Sequence, residues 1–182
     1  MDRTNKKDKK VSIMDKFINA LISKEKHAII PEEYDYFGQL VGEWDFKWHD
    51  NIGSEFESIA NGKWTFSRVL EGRAVQDTFV TSKRNTLTGE FEQEYGTTIR
   101  IYNPLKKNWD IFYGCTGEAI QLIAEKENDQ IVITCVTPIS FQMKWIFSDI
   151  QEYTFKWKNI ISTDNGKTWV VKAQAEDVCK VQ

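Results

Sequence analysis

From Gly42 onward the side chains alternate in character with a period of two, almost to the end of the chain. In "GEWDFKWHD" (42–50), Trp44, Phe46 and Trp48 fall on one face of an extended strand, and Asp45, Lys47 and His49 on the other. The pattern recurs in Trp64 and Phe66 with Arg68, in Trp109, Ile111 and Tyr113, in Phe141, Met143, Trp145 and Phe147, and in Tyr153, Phe155 and Trp157. Spacing and composition predict ten strands, near 43–50, 57–69, 73–82, 94–102, 109–115, 118–126, 130–137, 141–148, 151–161 and 168–179. Turn-forming runs separate them: "EGR" (71–73), "NTLTGE" (85–90), "NPLKKN" (103–108), "END" (127–129) and "TDNGK" (163–167). These connections are mostly too short for crossover helices, so sequential strands pair antiparallel as hairpins. A ten-stranded meander tends to close on itself, because closure removes exposed edges. The expected fold is therefore all-β, an antiparallel up-and-down barrel of ten strands over 41–182. Such a barrel has room inside beyond what its own side chains fill.

Two segments precede the barrel. Residues 1–11 are polar and basic and read as a disordered tail. Residues 12–40 read as a helical segment. Within it, Ile13, Phe17 and Leu21 with Met14, Ile18 and Ile22 form one apolar stripe at helical spacing over 12–23. Ser12 is placed to cap that helix, with Asp15 at the third position. The stripe is expected to pack over one end of the barrel, the alternative being a membrane-surface or partner-binding helix. "PEEYDYFGQL" (31–40) suggests another short helical turn begun at Pro31. Asp15 and Lys16 interrupt the apolar stretch as no secretory h-region would allow. No run of 18 apolar residues occurs, so no membrane span is expected.

Composition narrows the function classes. A net charge of −3 supplies no field for nucleic acid. Aromatic residues make up 13% of the chain and include seven tryptophans, which need a core, an interface or a cavity to bury them. Cys115, Cys135 and Cys179 are odd in number and far apart, which predicts reduced thiols and a cytoplasmic protein, not a disulfide framework. His27 and His49 are the two histidines, and no second ligand stands near either at metal spacing. A haem-binding barrel would need an inward histidine late in the chain, and none follows His49. Neither a metal nor a cofactor is expected. No GxSxG or usable Cys/His pair supports nucleophilic catalysis. "STDNGKTW" (162–169) lacks phosphate-loop spacing and reads as a hairpin turn.

"GEW" at 42–44, opening the first strand after a helical segment, resembles the GxW signature of lipocalin-like (calycin) barrels. The blocks "GKWTFSRVLEGRAVQD" (62–77), "YGTTIRIYNPLKKNWDIFY" (95–113) and "WIFSDIQEYTFKWKNIISTDNGKTW" (145–169), in this order, resemble the DUF1579 group of lipocalin-like bacterial proteins of unknown function. The resemblance spans roughly 40–180 and implies a ten-stranded lipocalin-like barrel, without an established activity. Lipocalins usually stack a late arginine across the GxW tryptophan. Here the last strand offers Lys172 and Lys180, so either a lysine stem covers Trp44 or the barrel closes differently.

Charged residues on otherwise apolar faces mark the candidate site, since an unpaired buried charge is very costly. Arg68 shares the face of Trp64 and Phe66. Asp77 alternates with Val75 and Phe79 on the next strand, so Arg68 and Asp77 are expected to face each other. Arg100 lies between Thr98 and Tyr102, with Ile99 and Ile101 competing for the interior. A cavity holding Trp48, Trp64, Arg68, Asp77, Arg100, Tyr113, Trp145 and Trp157 would suit a small hydrophobic or carboxylate-bearing ligand. Two alternatives stay open. One is an acid–base enzyme using Asp77 near Tyr102 or Tyr113. The other is an interaction protein with a filled barrel, including a homodimer.

Overall fold

The computed structural model of the chain describes residues 12–84 and 91–182. The expected tail 1–11 and the turn at 85–90 lie outside the described residues. Ten strands follow one another around a closed barrel: β1 (Gly42–Asp50), β2 (Ser58–Val69), β3 (Ala74–Arg84), β4 (Phe91–Asn103), β5 (Asn108–Cys115), β6 (Glu118–Glu127), β7 (Gln130–Cys135), β8 (Gln142–Ser148), β9 (Lys156–Ser162) and β10 (Val170–Lys180). Each strand pairs antiparallel with the next, and β10 returns to β1, setting Trp44 against Lys180 and Asp50 against Ala173.

Register carries the inward side chains around the wall in rows. Trp64, Phe79, Gly96 and Cys115 form one row on β2 to β5. Phe66, Asp77, Thr98 and Tyr113 form the next, and Arg68, Val75, Arg100 and Ile111 the one after. Thr98, Arg100 and Tyr102 are all buried, while Ile101 is exposed, which gives Arg100 the interior and turns the competing isoleucines away.

The chain differs from the expected strands around 149–155. Asp149 takes a left-handed backbone conformation (φ 49°) and turns the chain out of β8. The Lys180 N–H then donates to the Tyr153 carbonyl at 3.0 Å, and the Thr154 hydroxyl to the Val178 carbonyl at 2.8 Å. β9 consequently starts at Lys156, and Tyr153 is 51% exposed while Phe155 is buried. Phe141 likewise lies before β8 and on the surface. The 162–169 turn is a hairpin connection. The Asp164 carboxylate accepts from the Thr168 N–H (2.9 Å) and hydroxyl (2.6 Å) and from the Ser162 hydroxyl (2.8 Å), bonds that hold its pKa down at about 2.

One end of the barrel is stoppered by residues 30–40, which run through two single-turn 3₁₀ segments, Glu32–Tyr34 and Gly38–Leu40. Ile30, Phe37 and Leu40 are fully buried there. The stopper is tied by polar bonds as well as by packing. Tyr36 donates its hydroxyl to the Ala124 carbonyl (3.0 Å), Trp109 its indole N–H to the Tyr34 carbonyl (2.9 Å), and Trp44 its indole N–H to the Leu40 carbonyl (2.8 Å). Lys180 lies over the Trp44 ring at 5.2 Å, so a lysine stem covers the GxW tryptophan. Its stem crosses so close to Gly42 that an added Cβ would stand 2.6 Å from Lys180 Cε, and Gly42 also holds φ at 140°.

Helix α1 (Ile13–Leu21) begins with a complete capping box between Ser12 and Asp15. Its apolar stripe does not pack over the barrel as expected. None of its residues is buried, and Ile13 and Phe17 are 87% and 60% exposed. The reason is that residues 30–40 already occupy that end. Beyond the helix, the Ser23 N–H joins the chain to the wall through the Arg68 carbonyl at 3.0 Å.

Candidate functional site

The stopper fills one half of the barrel, and the other half holds a cavity of about 250 Å³. Its walls are aromatic. Trp48 lies 5.0 Å from Trp157 and 4.9 Å from Phe79, Trp145 lies 5.9 Å from Trp157, and Tyr113 meets Trp145 edge-on at 5.2 Å. Trp64, Asp77 and Thr98 line it deeper along their strands. Asp50, Glu94 and Glu118 line it where β1, β4 and β6 approach their open ends. Of the eight residues expected at the site, Trp48, Trp64, Asp77, Tyr113, Trp145 and Trp157 border this one space.

Arg68 and Arg100 do not. Arg68 stands opposite Val75, not Asp77, and it faces the stopper. There it makes a two-pronged ion pair with Asp35, at 3.0 and 2.7 Å. Gly38 permits that pair, since a Cβ at this position would stand 2.2 Å from Arg68 Nη2. The expected Arg68–Asp77 pair is therefore replaced by two others, because Asp77 sits one row nearer the open end. Its partner is Arg100, the diagonal neighbour across the β3–β4 pairing, with Nη2 at 2.5 Å from Oδ2. Both residues are 1% exposed, and the guanidinium carbon lies 5.0 Å from the Phe37 ring and 5.2 Å from the Phe66 ring.

The Asp77–Arg100 pair is held on one side only. Asp77 Oδ1 accepts from the Thr98 N–H at 3.1 Å, while Arg100 Nε and Nη1 have no hydrogen-bond partner. Burial pushes the Asp77 pKa up. The Arg100 charge, the nearby Trp64 indole N–H and the Thr98 N–H oppose that rise. Arginine does not give up its proton in a protein, so Asp77 serves as its counter-ion. A carboxylate committed to a guanidinium is a poor proton acceptor for anything else.

Three further buried polar atoms of cavity-lining residues make no hydrogen bond of ordinary geometry: Trp64 Nε1, Trp157 Nε1 and Asn159 Oδ1. Burial, then the Cys115 thiol, push the Tyr113 pKa up, so its hydroxyl stays protonated. Sequence reasoning did not pick out Asn159, Thr81 or Gly96. Asn159 carried a signal, standing two residues after Trp157 on one face. Gly96 carried none without the register that sets it beside Tyr113, where a Cβ would meet Cε2 at 3.2 Å.

His49 lies on the outer wall, 2.8 Å from Glu57 and 3.0 Å from Glu176, and its bonds to Glu176 and Glu57 raise its pKa. Among the described residues, no group of three or more His, Cys, Asp or Glu side chains is placed to hold a metal ion. Cys115, Cys135 and Cys179 are free thiols. No helix among the described residues is long and apolar enough to cross a membrane.

No family model matches this chain, and no curated protein matches it in sequence. Among solved structures it is similar to the S-type phycobiliprotein lyase CPES from Guillardia theta, with a TM-score of 0.54 over 85% of this chain and 95% of that one. The two are 10% identical, a likeness of fold alone. The chain is a closed lipocalin-like β-barrel of ten antiparallel strands.

Proposed function

We propose that this barrel binds a small, flat, largely apolar molecule between the rings of Trp48, Phe79, Tyr113, Trp145 and Trp157. The observation that carries the reading is the uneven filling of the interior. One half receives residues 30–40 of its own chain as a stopper, and the other keeps a ring-lined space of about 250 Å³. Apolar concave sites with a few polar groups are the usual form of a small-molecule site. The carboxylate-bearing alternative loses its support, because both arginines invoked for it are outside the lining and already paired. The resemblance of blocks 62–77, 95–113 and 145–169 to the DUF1579 group belongs to this proposal alone, since no family model matches.

Titration calorimetry with 2-naphthylmethanol tests the reading. Saturable 1:1 binding that is lost in Gly96→Phe, which places a ring in the cavity, supports it. Absence of saturable binding, or equal binding by Gly96→Phe, overturns it.

A further inference from the structure

Helix α1 leaves its apolar stripe in water, and the chain around it carries a charge opposite to that of the barrel. We infer that α1 docks the protein on an anionic lipid surface, lying in the plane of the headgroups with its stripe turned into the bilayer and the basic residues around it facing the lipid charge. The inference concerns a surface remote from the cavity and is independent of the ligand reading above.

At helical spacing Ile13, Met14, Phe17, Ile18 and Leu21 share one side of α1, and Asp15, Lys16 and Asn19 the other. Ile13, Met14, Phe17 and Ile18 are all exposed, from 43% at Ile18 to 87% at Ile13, and Ile22 just past the helix is exposed as well. Scattered exposed apolar side chains are ordinary, but a contiguous set on one face marks an interaction surface. A helix of nine residues is marginal on its own in water, and here the capping box holds its first turn. Beyond it, the Ser23 N–H bond to the Arg68 carbonyl and the His27 N–H bond to the Gly72 carbonyl, both 3.0 Å, fasten the chain at the stoppered end of the barrel. Docking through α1 therefore leaves the cavity half, at the other end, clear of the surface.

Charge selects the partner. Through Lys24 the sequence carries seven Lys and Arg, Lys6, Lys7, Lys9 and Lys10 among them, against Asp2, Asp8 and Asp15. The remainder carries seventeen Lys and Arg against twenty-four Asp and Glu. The basic excess is thus confined to the segment that bears the stripe, and an anionic surface attracts that segment while repelling the barrel, which sets the orientation. Each Lys or Arg near an anionic leaflet adds to the attraction, and an apolar helical face with a basic flank is the combination that holds a peripheral helix on a membrane. A second copy of the chain fits the stripe less well. Two stripes meeting about a two-fold axis would bring two basic segments together. A nine-residue helix, about 14 Å long, also offers far less than the roughly 800 Å² per partner that a stable protein interface buries.

Flotation of the full chain with vesicles tests the inference, using phosphatidylcholine alone and phosphatidylcholine with about 30% phosphatidylserine, at low and high salt. The expected result is binding to the serine-containing vesicles about 10-fold tighter than to phosphatidylcholine, weakening as salt rises. Phe17→Ser/Ile18→Ser, confined to the exposed face, should lower that binding about 10-fold and leave the urea melt of the barrel unchanged. Replacing Lys6, Lys7, Lys9 and Lys10 by Gln should remove the preference for phosphatidylserine. The inference falls if the serine-containing vesicles float no protein, if phosphatidylcholine alone floats as much, if the double serine variant binds like the native chain, or if the preference survives the four lysine substitutions. It falls equally if sedimentation velocity shows a dimer that the double serine variant breaks, for the face then belongs to a second copy. None of these outcomes bears on 2-naphthylmethanol binding, by which the ligand reading is judged.

Discussion

The two halves of the barrel are built from the same alternating aromatic strands, yet they end in different states. In the stoppered half three buried rings find a carbonyl: Trp44 that of Leu40, Trp109 that of Tyr34, and Tyr36 that of Ala124. In the open half Trp64 and Trp157 have no such partner. A strand wall supplies rings but few spare hydrogen-bond acceptors, because its own backbone groups are engaged in the sheet. Two of the three acceptors in the stoppered half, the Leu40 and Tyr34 carbonyls, come from residues 30–40, and the third, that of Ala124, from β6. What distinguishes a filled core from a binding site here is which end the N-terminal segment enters.

The largest expected effects test the pair between the two halves. Asp77→Asn leaves Arg100 buried and charged with no counter-ion, and should lower unfolding free energy by about 3–5 kcal/mol in urea melts. Arg100→Met should cost less, because Asp77 is able to take up a proton where arginine is unable to lose one. With its pKa raised by burial, that lone carboxyl would make the Arg100→Met protein lose stability as pH climbs from the unfolded-state pKa through the folded one. The double variant Asp77→Leu/Arg100→Met should return to within about 1 kcal/mol of the native protein. If instead the double variant is as damaged as Asp77→Asn, the pair does more than neutralise itself.

Ring deletions compare the halves directly. Phe37→Ala empties a fully packed site in the stopper and should cost about 3–5 kcal/mol. Phe79→Ala enlarges a space that already exists, and should cost about 2 kcal/mol or less. Equal losses would mean that the open half is as tightly packed as the other. A smaller effect is expected from Tyr36→Phe, which removes the bond to Ala124 and should cost about 1 kcal/mol.

The smallest effect is a pH slope on the outer wall. Glu176 and Glu57 raise the folded-state pKa of His49, so its stabilising contribution is complete below the ordinary histidine value near 6.5 and is lost as pH rises through the folded value. Thermal melts across that window should show a decline that His49→Gln lacks.

Strand order, closure and the inward faces were legible in the sequence because period-two alternation and turn chemistry fix them locally. Pairing partners across strands were not. Whether Asp77 meets Arg68 or Arg100 depends on a two-residue offset in register, and register is set by the whole closed sheet. The same limit hid Gly96. The stopper was read only as a helical turn, because single 3₁₀ turns carry no periodic stripe and Phe37 shows its role only once Arg100 and Trp109 surround it. Helix α1 misled in the opposite direction, for its stripe is clear although the barrel leaves it no place to dock.

The division between the halves is tested most directly by the seven indole N–H resonances in a proton–nitrogen correlation spectrum, followed during titration with 2-naphthylmethanol. Saturable shifts at Trp48, Trp64, Trp145 and Trp157, with Trp44 and Trp109 unmoved, are the predicted result. Shifts at Trp44 and Trp109 equal to those at Trp157, or no saturable shift at any of the seven, would contradict it.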